Sequence, residues 1–150
     1  MKRRFTDVEA YQHADDEYFY RPLVAGEELF TYVAHVPAGG VMPPDAEEAK
    51  LFELSLFMVE GALQAKCGEE EIALSAGDAL HIPRGTPFGV ANQTQSPATF
   101  VLSFSPPPPN IDLDSLKQEA LDKGRVVIDA PDVMGRVGDV RFPQNVSTNN

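Results

Sequence analysis

Apolar and polar residues alternate in short runs separated by turn residues over most of the chain. Glu28 to Val36 (Glu-Leu-Phe-Thr-Tyr-Val-Ala-His-Val) is rich in β-formers and stops at Pro37-Ala-Gly-Gly40. Leu51 to Glu60 reads as a strand closed by Gly61, and Ala62 to Lys66 pairs back across that turn. After the turn at Cys67-Gly-Glu-Glu70, the runs Glu71 to Ser75, Ala79 to Ile82, Phe88 to Ala91 and Thr99 to Ser105 follow as strands. Short strands with regularly recurring turn signals predict an antiparallel sandwich or barrel.

The flanks differ. Residues 1–28 form a polar and aromatic arm with room for one or two short strands, carrying Tyr11, Tyr18, Phe19 and Tyr20 around Asp15-Asp-Glu17. Met42 to Lys50 holds Pro43 and Pro44 and reads as a loop. The proline run Pro106 to Pro109 cannot join a ladder, so the barrel core spans 29–105. In 106–150, Leu113, Leu116, Ala120 and Leu121 fall at helical spacing within Asp112 to Lys123, and Gly124 supplies a stop. One C-terminal helix is expected, then a strand over Arg125 to Asp129 and a loose end from Pro143. No internal repeat is visible, and the whole is read as one domain.

Composition narrows the function classes. A chain of 150 residues with 43% hydrophobic and 23% charged content can bury a core as one soluble domain. The net charge of -11 disfavours nucleic acid and anionic membrane surfaces as partners. With one cysteine, Cys67, no intrachain disulfide can form, and the acidic turn beside it argues against a reactive thiolate. The start, Met1-Lys-Arg-Arg-Phe5, lacks the apolar run of a signal peptide, and a cytoplasmic protein is expected.

The stretch Ala76-Gly-Asp-Ala-Leu-His-Ile-Pro-Arg-Gly-Thr-Pro-Phe88, running on to Asn92, closely resembles the second signature of the cupin family, G-D-x-x-x-I-P-x-G-x-x-H-x-x-x-N. Of the first signature, G-x5-H-x-H-x3,4-E-x6-G, only the frame is present: Gly39-Gly40 opens it and Val59-Glu-Gly61 closes it. The resemblance covers roughly Pro37 to Ser105. It implies an all-β fold, the double-stranded β-helix or cupin jelly roll, and it raises the expectation of a homodimer. The arm and the tail are free to cover exposed sheet edges of a partner.

The resemblance also implies a metal held inside the barrel by three imidazoles and a carboxylate, and here the sequence departs from it. Phe88 stands at the histidine position of the second signature and Leu54 at the glutamate of the first. Met42 to Lys50 contains no histidine, and none of His13, His35 and His81 aligns to a ligand position. Divalent cations need several converging N and O donors, so no metal or other cofactor is expected. The alternative is an irregular site made from His35, His81 and Glu53.

Alternation then predicts the barrel lining. If Leu54 and Phe88 face inward, so do Leu56, Met58, Val90 and Asn92. With Tyr32 and Met42 these form the candidate ligand-binding set, either a filled core or an apolar pocket. His81 is the candidate general acid or base if it faces inside, with Glu53 beside it if a bulge turns that carboxyl inward, and His35 as a third candidate. Tyr32 and His35 lie on opposite faces of one strand. His13, in the polar arm, reads as solvated; Asp45, Glu47 and Glu48 sit in the loop at the mouth; Lys50 and Arg84 could pair a carboxylate.

Three functions remain open. The first is an enzyme acting on a small organic metabolite by metal-independent acid/base chemistry, of isomerase, cyclase or lyase type. The second is a non-catalytic sensor or carrier for a small-molecule ligand. The third is a metal-dependent oxygenase with an irregular site.

Overall fold

A computed structural model describes residues 2–45, 49–109 and 112–137. Among these residues, eleven strands build two facing antiparallel sheets. They are β1 Ala10–Gln12, β2 Phe19–Ala25, β3 Phe30–Val36, β4 Val41–Met42, β5 Glu53–Glu60, β6 Ala62–Cys67, β7 Glu70–Ser75, β8 Ala79–Ile82, β9 Phe88–Ala91, β10 Ala98–Ser105 and β11 Val126–Ile128. The large sheet has the order β11-β1-β2-β3-β10-β5-β8 and the small one β4-β9-β6-β7. This is the expected double-stranded β-helix. Each strand expected from Glu28 to Ser105 is present, with ends shifted by two residues or fewer.

Turn chemistry fixes the registers. Gly61 joins β5 to β6 at φ +83, and a Cβ there would lie 2.8 Å from Ala98 Cα, so only glycine fits without a shift. In the second signature, Asp78 Oδ2 accepts from the Ser75 amide at 2.8 Å, and Gly77 N donates to Met58 O at 2.9 Å. Gly77 and Asp78 thus tie β7 to β5 and perform a structural task.

The core between the sheets includes Phe30, Ala34 and Val36 of β3, Phe100 and Leu102 of β10, and Leu63 and Ala65 of β6. A second cluster lies on the outer face of the large sheet, where Ala10, Phe19 and Ile128 pack with Val133 and Val137.

The N-terminal arm is an integral part of this sheet. β2 pairs with β3 (Tyr20↔Ala34, Arg21↔Val33), and β1 bridges β2 and β11. The arm therefore extends its own large sheet, and β11 adds the strand expected within Arg125 to Asp129.

The expectation of one C-terminal helix requires correction, because the described residues hold two there. α1 spans Leu116–Asp122 and α2 spans Ala130–Val137. α1 starts later than the spacing predicts because Asp112 Oδ1 accepts the Asp114 amide at 3.0 Å and closes a local turn. It buries Leu116 and Ala120, while Leu121 is half exposed. The start of α2 carried a sequence signal: Asp129 Oδ1 accepts the Asp132 amide at 3.0 Å, and Pro131 sits in the first turn. The tail beyond Val137, including the end expected to be loose, lies outside the described residues. No helix among the described residues is long and apolar enough to cross a membrane.

Candidate functional site

The site builds from one end of the space between the sheets. A cavity of about 520 Å³ opens there, large enough for a small organic ligand. The large sheet contributes Tyr20 from β2, Phe30 and Tyr32 from β3, Leu54 from β5, and Leu102 and Phe104 from β10. These share one face because period-two alternation points them inward. The small sheet contributes Met42 and Phe88. The rim carries His13, Glu17, Tyr18, Asp45, Glu119, Lys123 and Arg125.

Backbone contacts hold the rim in place. The loop bearing His13 and Glu17 is fixed from beneath by buried Gln12, whose Nε2 donates to Glu17 O at 3.0 Å. Tyr18 N donates to Val41 O at 2.8 Å and Val41 N to Asp16 O at 3.0 Å, lashing the arm to the small sheet. On the opposite flank, α1 ends in a Schellman cap: Gly124 N donates to Leu121 O at 3.1 Å and Arg125 N to Ala120 O at 2.9 Å. Gly124 adopts φ +74, and this turn delivers Arg125 to the cavity, where its Nη1 donates to Tyr20 Oη at 2.9 Å.

Of the predicted ligand-binding residues, Tyr32, Met42, Leu54 and Phe88 line the cavity. Leu56, Met58 and Val90 do not; they face inward as alternation requires, but are packed into solid core. Asn92 is also buried and serves the fold instead. Its Nδ2 donates to Val36 O at 3.0 Å and Ser96 O at 2.8 Å, and its Oδ1 accepts from Thr94 N at 2.9 Å.

The three acid/base candidates do not reach the cavity. His81 and Glu53 lie on the outer face of the large sheet, with Nε2 and Oε2 2.7 Å apart. No bulge turns Glu53 inward: β5 runs in continuous register from Glu53 to Met58 against β10, and the irregularity falls only at Thr99/Phe100. His35 is fully buried on that same outer face, beneath Phe5 and Phe19 rather than in the barrel. Its Nδ1 lies 3.0 Å from Thr99 Oγ1. Burial, reinforced by the Arg21 guanidinium, holds its pKa down to about 3, so the ring is neutral. Arg84 is exposed away from the cavity, Asp45 lines it, and Glu47 and Glu48 lie outside the described residues. Burial and Glu70 raise the Cys67 thiol pKa, as expected of an unactivated cysteine.

His35, His81 and Glu53 do not converge, so the irregular metal site they would form is not present. Nor do the residues in the cavity fit the metal of the fold family. Phe88 and Leu54 face it from the two sheets, and Pro43-Pro44 occupies the loop where the histidine pair would stand. Among the described residues, no three His, Cys, Asp or Glu side chains group in a way that could hold a cation.

The residues overlooked in the sequence are His13, Tyr18, Tyr20 and Arg125. His13 was expected to be solvated; its ring is exposed on one side and packs against Tyr18 and Tyr20 on the other, with centroids at 6.0 and 6.3 Å. Its pKa is lowered by burial first and then by Arg125 and Lys123, favouring the neutral imidazole. Tyr18, just before β2, and Tyr20, within it, stand two residues apart, the spacing that puts side chains on one face of extended chain. Nothing local marks Arg125, which comes from more than one hundred residues away along the chain.

A double-stranded β-helix with a ligand-sized opening at one end defines a class of small β-roll proteins. Residues 32–104 match the cupin domain family, which places a cupin domain in this chain. Solved structures agree on the fold. The polyketide cyclase RemF from Streptomyces resistomycificus is similar at 21% identity and a TM-score of 0.61, covering 82% of this chain and 97% of that one. An RmlC-like cupin from Shewanella frigidimarina is similar at 17% identity and TM-score 0.63, covering 73% and 93%. KdgF from Halomonas sp. is similar at 20% identity and TM-score 0.59, covering 67% and 88%. No curated protein matches the chain.

Proposed function

We propose that this chain binds a small organic metabolite in the cavity between its two sheets and moves a proton on it without a metal. The observation that carries the reading is the arrangement at the mouth. A histidine biased toward its neutral form sits against two tyrosines, one of which accepts a hydrogen bond from Arg125, above an apolar floor. Such a site has a base in His13, hydroxyl donors in Tyr18 and Tyr20, and a fixed cation to favour developing negative charge on an oxygen. Isomerisation, cyclisation and elimination all fit this inventory, and the polyketide cyclase of the same fold is compatible with it.

A non-catalytic carrier or sensor is the second reading. It is favoured by the lining, in which Leu54, Phe88, Leu102 and Phe104 offer a ligand apolar contact and no group able to move a proton.

One experiment separates the two. The purified chain is screened for binding against small aromatic and aliphatic acids and carbonyl compounds, and each binder is followed by NMR for conversion. The enzyme reading expects conversion that is lost in His13→Ala while binding persists. Binding with no conversion of any binder selects the carrier, and the absence of any binder removes the pocket reading. A homodimer belongs to the same proposal, since β8 and β7 end their sheets unpaired among the described residues; light scattering on the eluted protein reads it.

A further inference from the structure

Three tyrosine rings form a continuous wall along one side of the cavity. Tyr20 and Tyr32 have centroids 5.2 Å apart, Tyr18 and Tyr20 5.9 Å, and Tyr18 and Tyr32 6.4 Å, with interplanar angles of 41°, 30° and 32°. Rings this close touch one another, so they cannot enclose a cation between opposed faces. They instead present a broad, shallowly tilted aromatic surface. Phe104 turns the corner, standing at 77° to Tyr32 with centroids 5.8 Å apart. Met42 and Phe88 line the space from the facing sheet, and the Tyr32 hydroxyl reaches Met42 Sδ at 3.9 Å, closing it at that point. A flat ring system fills such a space with most contact and gains stacking beyond area burial.

The polar end is one-sided. Lys123 Nζ is matched by Glu119 Oε1 at 2.7 Å. Arg125, by contrast, makes its hydrogen bond to a phenol, and it has no carboxylate partner among the described residues. Its charge is therefore available to a ligand oxygen beside Tyr20. Glu17 and Asp45 also line the opening and disfavour a second anionic group.

Building on the pocket proposed above, we infer that its ligand is a planar aromatic molecule bearing a single acidic oxygen, as phenolate or carboxylate. Its rings lie on the wall of Tyr18, Tyr20 and Tyr32, and its oxygen meets the Tyr20–Arg125 corner. Charge-assisted hydrogen bonding anchors the oxygen, and the wall selects flatness.

Three probes test this by calorimetric titration of the full chain. They are 2-naphthoate, 2-naphthalenemethanol (the same rings without the charge) and adamantane-1-carboxylate (the charge without the flatness). The expected result is 2-naphthoate binding about tenfold or more tighter than either of the others, a difference of about 1.4 kcal/mol. Arg125→Gln should bring 2-naphthoate to within a few-fold of the alcohol. Tyr32→Leu should weaken both flat probes and leave the adamantane acid little changed. If Arg125→Gln fails to fold, Tyr20→Phe reads the same corner. Adamantane-1-carboxylate binding as tightly as 2-naphthoate, or a preference for the acid that survives both corner variants, overturns the inference and leaves the pocket reading standing. If none of the three probes binds while other small molecules do, the ligand class alone is wrong; if nothing binds, the pocket reading falls with it.

Discussion

His81 Nε2 and Glu53 Oε2 meet at 2.7 Å across the β5–β8 edge, with their side chains 64% and 58% exposed. A pair this open to water contributes about 0–1 kcal/mol, because solvent screens the attraction and two side chains lose freedom. It also stands on the face of the sheet opposite the cavity. His81→Ala is therefore expected to leave ligand binding and any turnover at the wild-type level, with a stability change below about 1 kcal/mol. Titration calorimetry and urea unfolding check this; a variant that loses binding with its stability intact would place His81 in the site.

His35 makes stability depend on pH. Its native pKa is held to about 3 by burial and then by Arg21, against an ordinary value of 6.5. A depressed histidine stays neutral in the fold while the unfolded chain takes up a proton. Its contribution is complete above pH 6.5 and is lost as pH falls toward 3. The slope from this one group reaches at most about 1.4 kcal/mol per pH unit. Between pH 6.5 and 5, unfolding free energy is expected to fall with pH in the wild type and less steeply in His35→Leu. Equal slopes in the two proteins would show that His35 is not buried neutral.

Two glycines at positive φ should respond differently to alanine. A Cβ at Gly61 would meet Ala98 Cα at 2.8 Å, whereas a Cβ at Gly124 meets nothing within 4 Å. Gly124→Ala is expected to cost about 1–2 kcal/mol, from backbone conformation alone. Gly61→Ala should cost more, because the β5–β6 turn must also shift away from β10. Denaturant midpoints rank the two, and a smaller loss at Gly61 contradicts the clash.

Phe88 faces the cavity from the position where the fold family places a metal-binding histidine. Restoring one imidazole does not restore a donor set, since a bound divalent cation takes about three or more protein ligands. Phe88→His is expected to bind less than one equivalent of zinc, nickel or manganese by elemental analysis after dialysis. A full equivalent would mean that other donors converge there.

Strand positions, turn positions and the apolar replacement of two ligand positions were all legible in the chain. Each depends on local propensity and period-two alternation. Alternation is a relative rule, however. It put Leu54 and Leu56 on one face and Glu53 on the other, but did not say how deep in the barrel each inward residue would lie. The closed sheets decided that Leu54 borders open space while Leu56 and Met58 are solid core. Cover on the outer face was equally a matter of tertiary structure. His35 and His81 share that face, yet Phe5 and Phe19 bury one and nothing described covers the other. The cavity's polar end is the furthest from sequence reasoning, because Tyr20 and Arg125 are brought together only when β2 pairs with β3 and the cap after α1 returns the chain to the mouth.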